Sequence, residues 1–142
     1  MSEHLYWNEI YKTGVEKIDR QHRKLFDLFE RLRQSLKFGL NNPIVGATIK
    51  DLVEYTQEHF ADEEEIQKQI NFEEYKRHQK LHRDLLNEMA QILLKLKNNE
   101  QFNAMDLLNF LKHWIQDHIL KEDLKIGEAY KKTVDSAASI NN

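Results

Sequence analysis

Apolar residues recur at steps of three and four positions along four long stretches of the chain, the spacing that places side chains on one face of an α-helix. Each stretch opens with a residue that can cap or begin a helix. These starting signals are Asp19, Asn42 followed by Pro43, Asn71 with Glu74 three positions on, and Asn103. Four helices of about 20 residues with short connections predict an all-α fold, an antiparallel up-and-down four-helix bundle.

The two ends of the chain lack the sustained pattern of the four stretches. The expected parts are a non-helical arm over residues 1–17, the bundle over about 19–122, and a C-terminal segment over about 124–142 with a short helix from about Leu124 to Val134. The full length of 142 residues suits a single domain, residues 1–142, with one hydrophobic core.

Composition removes several classes of function. The formal net charge of −3, with no Lys/Arg-rich block, gives no electrostatic basis for binding nucleic acid or an anionic membrane. No apolar run approaches membrane-spanning length. The absence of cysteine excludes thiolate chemistry and cysteine-ligated clusters. The polar, acidic N-terminus is unlike a signal peptide, so we expect a cytoplasmic location.

Two pairs of potential metal ligands are spaced four residues apart. They are His59 with Glu63 and His78 with His82. A four-residue step is slightly more than one helical turn, so both members of a pair project from the same face. Histidines on polar helices are more often solvated surface residues, but two such pairs in tandem favour a site for a transition metal such as iron or zinc.

Potential ligands fall on the apolar faces of all four predicted helices. The full set is His22, His59, Glu63, His78, His82, His118 and Asp123. Five imidazoles and two carboxylates exceed the needs of one ion, but two ions can share them if the carboxylates bridge. Zinc normally takes four ligands, and magnesium or calcium prefers oxygen donors, so a pair of irons fits this set best.

The spacing of His118 and Asp123 is irregular for a helix. A five-residue step turns a regular helix by about 140°. We therefore predict distorted helical geometry between them, such as a π-type turn, a feature that recurs at functional sites. The alternative is that Asp123 is a surface residue near the helix end. His4 and His113 fall outside the ligand set and are expected at the surface.

The chain resembles the hemerythrin family, in particular its bacterial single-domain members. The resemblance rests on W-N-E-I-Y-K-T-G-V-E-K-I-D-R-Q-H ending at His22, H-F-A-D-E-E from His59, H-Q-K-L-H from His78, and H-I-L-K-E-D from His118. It implies the same bundle and a non-haem di-iron centre with an oxo or hydroxo bridge.

The resemblance also implies a division of the ligands. Glu63 and Asp123 would bridge the irons. The remaining ligands would be His78, His82 and His118 on one iron, and His22 and His59 on the other. The second iron would keep a vacant position, where dioxygen binds and from which it leaves unchanged.

Side chains near these ligands are the expected walls of an oxygen pocket. The candidates are Ile115, Phe60, Trp114, Leu111 and Gln67. Ile115 is the first choice because it lies three residues before His118, on the same face. The other apolar candidates could equally be plain core. Gln67 stands where relatives often have Met, and a polar group there could admit water or donate a hydrogen bond.

Three functions fit these residues. The first is reversible dioxygen binding for transport, storage or delivery, which is not an enzymatic role, with an oxygen-consuming enzyme as a possible recipient. The second is a di-iron peroxidase, oxidase or nitric oxide reductase. The E-x-x-H pair of ferritin-like oxidases does not occur in the sequence, and five nitrogen donors leave one open position, so we favour the first. The third is an oxygen or iron sensor.

Overall fold

Four long helices form a bundle in the computed structural model, which describes residues 5–98 and 103–140, with side chains as far as residue 138. These ranges contain no strand and no helix that could cross a membrane. The long helices are α1 (Glu16–Ser35), α2 (Pro43–Gln69), α3 (Tyr75–Lys97) and α4 (Ala104–His118), followed by α5 (Leu124–Ile140). Short 3₁₀ helices cover Glu9–Tyr11 and Leu36–Phe38, and a π-helical turn, Ile119–Asp123, joins α4 to α5.

Two of the predicted helix starts are confirmed. The Asn42 side chain accepts a hydrogen bond from the backbone N–H of Ile44 and Pro43 is the first residue of α2. The Asn103 side chain likewise accepts from the N–H of Met105 at the start of α4. In both cases the side-chain oxygen satisfies a backbone donor that has no partner within the helix.

The predicted start of α1 is wrong. The helix begins at Glu16, so Asp19 lies inside its first turn instead of capping it. Its buried carboxylate accepts hydrogen bonds from the backbone N–H and the hydroxyl of Thr13, both at 2.8 Å, and from the N–H of Gly14 at 3.1 Å. Asp19 therefore fastens the turn of the arm onto the bundle.

The start of α3 also differs from the prediction. Asn71 has φ 53° and lies in the turn after α2. Glu74 is the residue before the helix, and its side chain makes no capping hydrogen bond. Asn is one of the few residues that adopt the left-handed conformation readily, and this turn requires it.

Both ends of the chain are more helical than predicted. The arm contains the 3₁₀ turn Glu9–Tyr11, and α1 already covers residues 16 and 17. The last helix is not short, because α5 runs to Ile140. It packs closely against the arm at Gly127, where a Cβ would lie 2.1 Å from the carbonyl oxygen of Thr13.

The interior of the bundle divides into two regions. The apolar half, towards the α1–α2 connection, contains fully buried side chains such as Phe29, Leu32, Leu52, Met89 and Leu107. The polar half lies towards the turn between α2 and α3, where buried histidines and carboxylates replace the aliphatic side chains. A small cluster of Val15, Ile18 and Ile126 closes that end.

Candidate metal centre

All seven residues predicted as ligands meet inside the polar half. α1 supplies His22, α2 supplies His59 and Glu63, α3 supplies His78 and His82, α4 ends at His118, and the π turn ends at Asp123. Six are fully buried, and the side chain of His118 is 9% exposed. The helical steps predicted from the sequence therefore bring these side chains to one place.

The π-helical turn accounts for the irregular spacing at the end of α4. The prediction of distorted geometry between His118 and Asp123 is confirmed, and the alternative of a surface Asp123 is wrong because that residue is fully buried. The wider turn accommodates one residue more than a regular turn. His118 Nε2 consequently lies 3.1 Å from Asp123 Oδ1.

The two oxygens of Glu63 face different histidines. Oε1 lies 3.0 Å from His78 Nε2 and 3.1 Å from His82 Nε2. Oε2 lies 3.1 Å from His59 Nε2. The Glu63 carboxylate therefore lies between the two histidines of α3 and His59, which belongs to the same helix as Glu63, α2.

Asp123 divides its oxygens in the same way. Oδ1 lies 3.1 Å from the Nε2 atoms of both His78 and His118. Oδ2 lies 2.9 Å from His22 Nε2. Two groups of potential ligands result, each with its donor atoms within 4.8 Å of one another. The three-histidine group is Glu63, His78, His82, His118 and Asp123, and the two-histidine group is His22, His59, Glu63 and Asp123.

None of the inward-facing donor atoms in this cluster is hydrogen-bonded. The Nε2 atoms of the five histidines and all four oxygens of Glu63 and Asp123 are buried without a hydrogen-bond partner. Burying so many unsatisfied polar atoms is costly. Metal ions at the points on which these lone pairs converge would satisfy all of them, so the residues present fit a pair of cations.

The charges of the cluster compensate one another. Burial lowers the pKa of His22 and His78, but the neighbouring carboxylates Asp123 and Glu63 outweigh this effect and raise both values to about 9. Burial raises the pKa of Glu63 and Asp123, but the surrounding histidines hold both well below the ordinary range. Without metal, protons on the imidazoles therefore balance the buried carboxylates.

Two hydrogen bonds orient the rings of candidate ligand histidines from behind. His59 Nδ1 lies 2.7 Å from Gln21 Oε1, and His82 Nδ1 lies 2.9 Å from Glu64 Oε2. Such contacts fix the tautomer and leave Nε2 free for a metal. Sequence reasoning missed Gln21 and Glu64. The available signal was their position, because each is the immediate neighbour of a candidate ligand.

A small cavity adjoins the centre. The volume that the centre of a water molecule can occupy in this cavity is about 10 Å³. The cavity therefore has room for one water or one diatomic molecule. His22 and His59, from the two-histidine group, both line the cavity. From the three-histidine group, the imidazole of His118 lines it. The remaining wall consists of Leu25, Phe60, Trp114, Ile115, Ile119 and Asp123.

The five candidates for an oxygen pocket are therefore divided. Ile115, Phe60 and Trp114 line the cavity. Leu111 is buried in the hydrophobic core and does not line it. Gln67 is fully buried away from the cavity, and neither atom of its amide has a hydrogen-bond partner. Leu25 and Ile119 also form the wall and were not singled out from the sequence.

The two histidines left outside the ligand set have separate outcomes. His113 is exposed, as predicted, and lines a surface groove between α3 and α4. His4 lies outside the described residues.

Comparison with known proteins identifies the family of this chain. The model of the hemerythrin HHE cation-binding domain matches residues 13–130. This chain belongs to the hemerythrin family. The matched segment contains all seven residues of the two groups, and the family's description as cation-binding agrees with their unsatisfied donor atoms.

Individual relatives are similar over most of their length. Bacteriohemerythrin of Pseudomonas aeruginosa strain LESB58 is 24% identical over 131 residues, covering 92% of this chain and 84% of the relative. Myohemerythrin of Theromyzon tessulatum is 27% identical over 119 residues, covering 84% and 88%. The crystal structure of wild-type hemerythrin superposes with a TM-score of 0.81 at 25% identity, covering 88% of this chain and 96% of that one.

Proposed function

We propose that this hemerythrin-family chain binds dioxygen reversibly at a non-haem di-iron centre, for oxygen transport, storage or delivery, and that it is not an enzyme. The observation that supports this best is the sharing of both carboxylates, since Glu63 and Asp123 each offer one oxygen to each histidine group. A donor set divided in this way suits two bridged ions. The names of the relatives, bacteriohemerythrin and myohemerythrin, agree with the proposal.

The two groups would hold unequal numbers of ligands. The three-histidine group would give one iron five protein ligands, and the two-histidine group would give the other four. With an oxo or hydroxo bridge counted on both, one position of a six-coordinate pair stays open, beside His22 and His59. When bound, the iron pair supplies that open position and the electrons that dioxygen requires.

The walls of the cavity would decide what reaches the open position. Phe60, Trp114 and Ile115 supply the aromatic and aliphatic part of the lining. They would limit the entry of bulk water and of protons, which promote irreversible oxidation. A space that admits a diatomic molecule has no room for an organic substrate, and this favours carriage over substrate oxidation.

The test is an iron count together with optical spectra of the anaerobically reduced protein before and after exposure to air. We expect two irons per chain and a spectral change that reverses when the air is replaced by argon. Metal-free protein is the control and should show no change. A one-way change with consumption of hydrogen peroxide, nitric oxide or an organic reductant would contradict carriage and indicate an enzyme. A spectrum that does not change on exposure to air would contradict both oxygen carriage and enzymatic activity.

A further inference from the structure

The two ligand histidines with oriented rings donate to acceptors of different charge. His82 faces the carboxylate of Glu64, whereas His59 faces the neutral amide of Gln21. Because Gln21 Oε1 and Glu64 Oε2 are hydrogen-bond acceptors, the Nδ1 atom of each ring carries a proton and donates it, and Nε2 is the atom left to face a metal. The three-histidine group therefore has an anionic acceptor behind one of its ligands. The two-histidine group has a neutral acceptor in the equivalent place.

The surroundings preserve this difference. Within the part of the chain that the structure describes, Glu64 has no Lys or Arg partner, and its ion-pair contact is with His82. On the other side, the Gln21 amide donates to Asp62 at 2.8 Å, and Lys17 Nζ lies 3.6 Å from the same carboxylate. Behind the His59 ring, the nearest carboxylate is therefore separated from the imidazole by an amide, and a lysine partly balances its charge.

The ring of His82 is held firmly against its acceptor. Phe60 stacks on it with ring centroids 3.6 Å apart and planes 3° from parallel. Glu64 is mostly shielded, since its side chain is 18% exposed. A charged hydrogen bond is stronger where water is partly excluded, so this geometry increases the influence of Glu64 on the ring.

We propose that Glu64 and Gln21 make the two metal positions differ in how easily their ions are oxidised. The ion of the three-histidine group would be the first to lose an electron. A hydrogen bond to a carboxylate makes imidazole a stronger electron donor and stabilises the higher charge on its metal. The neutral amide behind His59 would make that imidazole a weaker electron donor, so an ion held by His22 and His59 would be easier to reduce again, which would favour release of dioxygen. This inference rests on the proposed di-iron function.

The redox step used to test this inference is simple. Under argon, one equivalent of ferricyanide takes one electron from the diferrous pair, giving ferrocyanide and one ferric ion. The matched variants are Glu64→Gln and Gln21→Glu, which exchange charge while preserving shape and the ability to accept a hydrogen bond from Nδ1; Gln21→Glu also loses the hydrogen bond that the amide donates to Asp62. Glu65→Gln is the control, because Glu65 is an exposed neighbour on the same helix.

The first readout needs no redox chemistry. In zinc-loaded protein with ¹⁵N-labelled histidine, we expect the Nδ1–H proton of His82 to resonate further downfield than that of His59. Glu64→Gln should move the His82 signal upfield, and Gln21→Glu should move the His59 signal downfield. Equal signals in the wild type, or no movement in Glu64→Gln, would overturn the inference.

The second readout is the first one-electron midpoint potential of iron-loaded protein. Glu64→Gln should weaken the tendency to lose the first electron about tenfold, which is about 59 mV for one electron. Gln21→Glu should strengthen the tendency to lose that electron, and Glu65→Gln should leave the potential unchanged. If Glu64→Gln behaves as Glu65→Gln does, the assignment of Glu64 is wrong.

Exchanging both residues gives the sharpest test. After one-electron oxidation, imidazole N–H signals with ferric shifts should belong to three histidines in the wild type and to two in the Gln21→Glu, Glu64→Gln double variant. The same three histidines in both proteins would overturn the inference. If these shifts occur but dioxygen has no effect on the reduced protein, the proposed function fails. If dioxygen binds reversibly and the shifts are absent, the inference fails instead.

Discussion

The two halves of the bundle are built on opposite principles. In the apolar half, side chains such as Phe29, Leu32 and Leu52 fill the interior, and the buried hydroxyls of Ser35 and Thr48 donate to carbonyls of their own helices. In the polar half, nine inward-facing nitrogen and oxygen atoms are buried without hydrogen bonds. Packing therefore stabilises the first half by itself, whereas the buried carboxylates of the second half need protons or metal ions to balance their charge. Fold and metal binding should consequently respond to different substitutions in this molecule.

Removing a shared carboxylate should have the largest effect, because both metal positions lose a ligand. We expect Glu63→Ala to lower the affinity for each ion by at least about 100-fold. An iron count after dialysis and elemental analysis would measure the loss. Glu65→Ala is the control, because Glu65 is an exposed neighbour, and it should retain two ions. Two tightly held ions in Glu63→Ala would show that Glu63 is not a ligand of both positions.

Removing a ligand from one position should have a narrower effect. His59→Ala takes a nitrogen from the two-histidine group, so we expect stable oxygenation to be abolished while the bundle stays folded and the three-histidine group keeps its ion. Optical spectra in air and circular dichroism would measure the two properties. An oxygenated species with an unchanged spectrum would show that the open position is elsewhere.

A substitution in the apolar half should do the reverse. Leu52 is fully buried, and Leu52→Ala should lower the free energy of unfolding by about 2–5 kcal/mol through lost burial and a residual cavity. The number of bound ions should remain that of the wild type. Leu94→Ala, at a side chain 57% exposed, is the control and should change stability little. Loss of metal in Leu52→Ala would mean that the two halves are not independent.

Lowering the pH should weaken metal binding in the polar half of the bundle. In metal-free protein the pKa values of His22 and His78 are raised to about 9 from 6.5, so binding must displace about two protons near neutral pH. Affinity should fall about tenfold per displaced proton for each pH unit below 9. Titration of zinc into metal-free protein in buffers of different ionisation enthalpy would count the protons.

The same shifts predict the stability of the metal-free protein. A histidine whose pKa is raised on folding stabilises the fold fully below its unfolded value of 6.5, and the contribution is lost as the pH rises through about 9. Metal-free protein should therefore lose stability between pH 6.5 and 9. Metal-loaded protein should not, since a metal ion takes the place of the titrating proton on the Nε2 atom of each ring. Parallel profiles for the two forms would contradict this explanation.

The smallest predicted effect concerns Gln67. Its amide is buried with neither atom hydrogen-bonded, so Gln67→Met should raise the free energy of unfolding by about 1 kcal/mol. It should also slow autoxidation if the amide admits water near the centre. Chemical denaturation and the decay of the oxygenated spectrum would measure both, and a less stable variant would show that the amide has a partner.

Helical spacing carried most of the information about the centre. Four-residue steps place two pairs, His59 with Glu63 and His78 with His82, on shared helix faces. This regularity can be read from the sequence without a structure. The five-residue distance between His118 and Asp123 was incompatible with a regular helix, and the distortion predicted from it is the π-helical turn that buries Asp123. The bundle followed from the same periodicity.

The sequence could not indicate contacts that depend on side-chain conformation. Asp19 could cap a helix or reach back to the arm, and both uses suit a carboxylate at that position. Gln21 and Glu64 resemble other polar residues on helix surfaces until a neighbouring helix places a ring nitrogen beside them. The length of α5 was underestimated because Ala137 and Ala138 favour a helix without adding to an apolar stripe.

A crystal structure of the iron-loaded protein, with the metals located by anomalous scattering, would show directly whether the two carboxylates are shared. We expect two ions, with one oxygen of Glu63 and one oxygen of Asp123 bound to each. We also expect three histidines on one ion and two on the other. A single ion, or either carboxylate bound by both oxygens to the same metal, would contradict the proposed sharing.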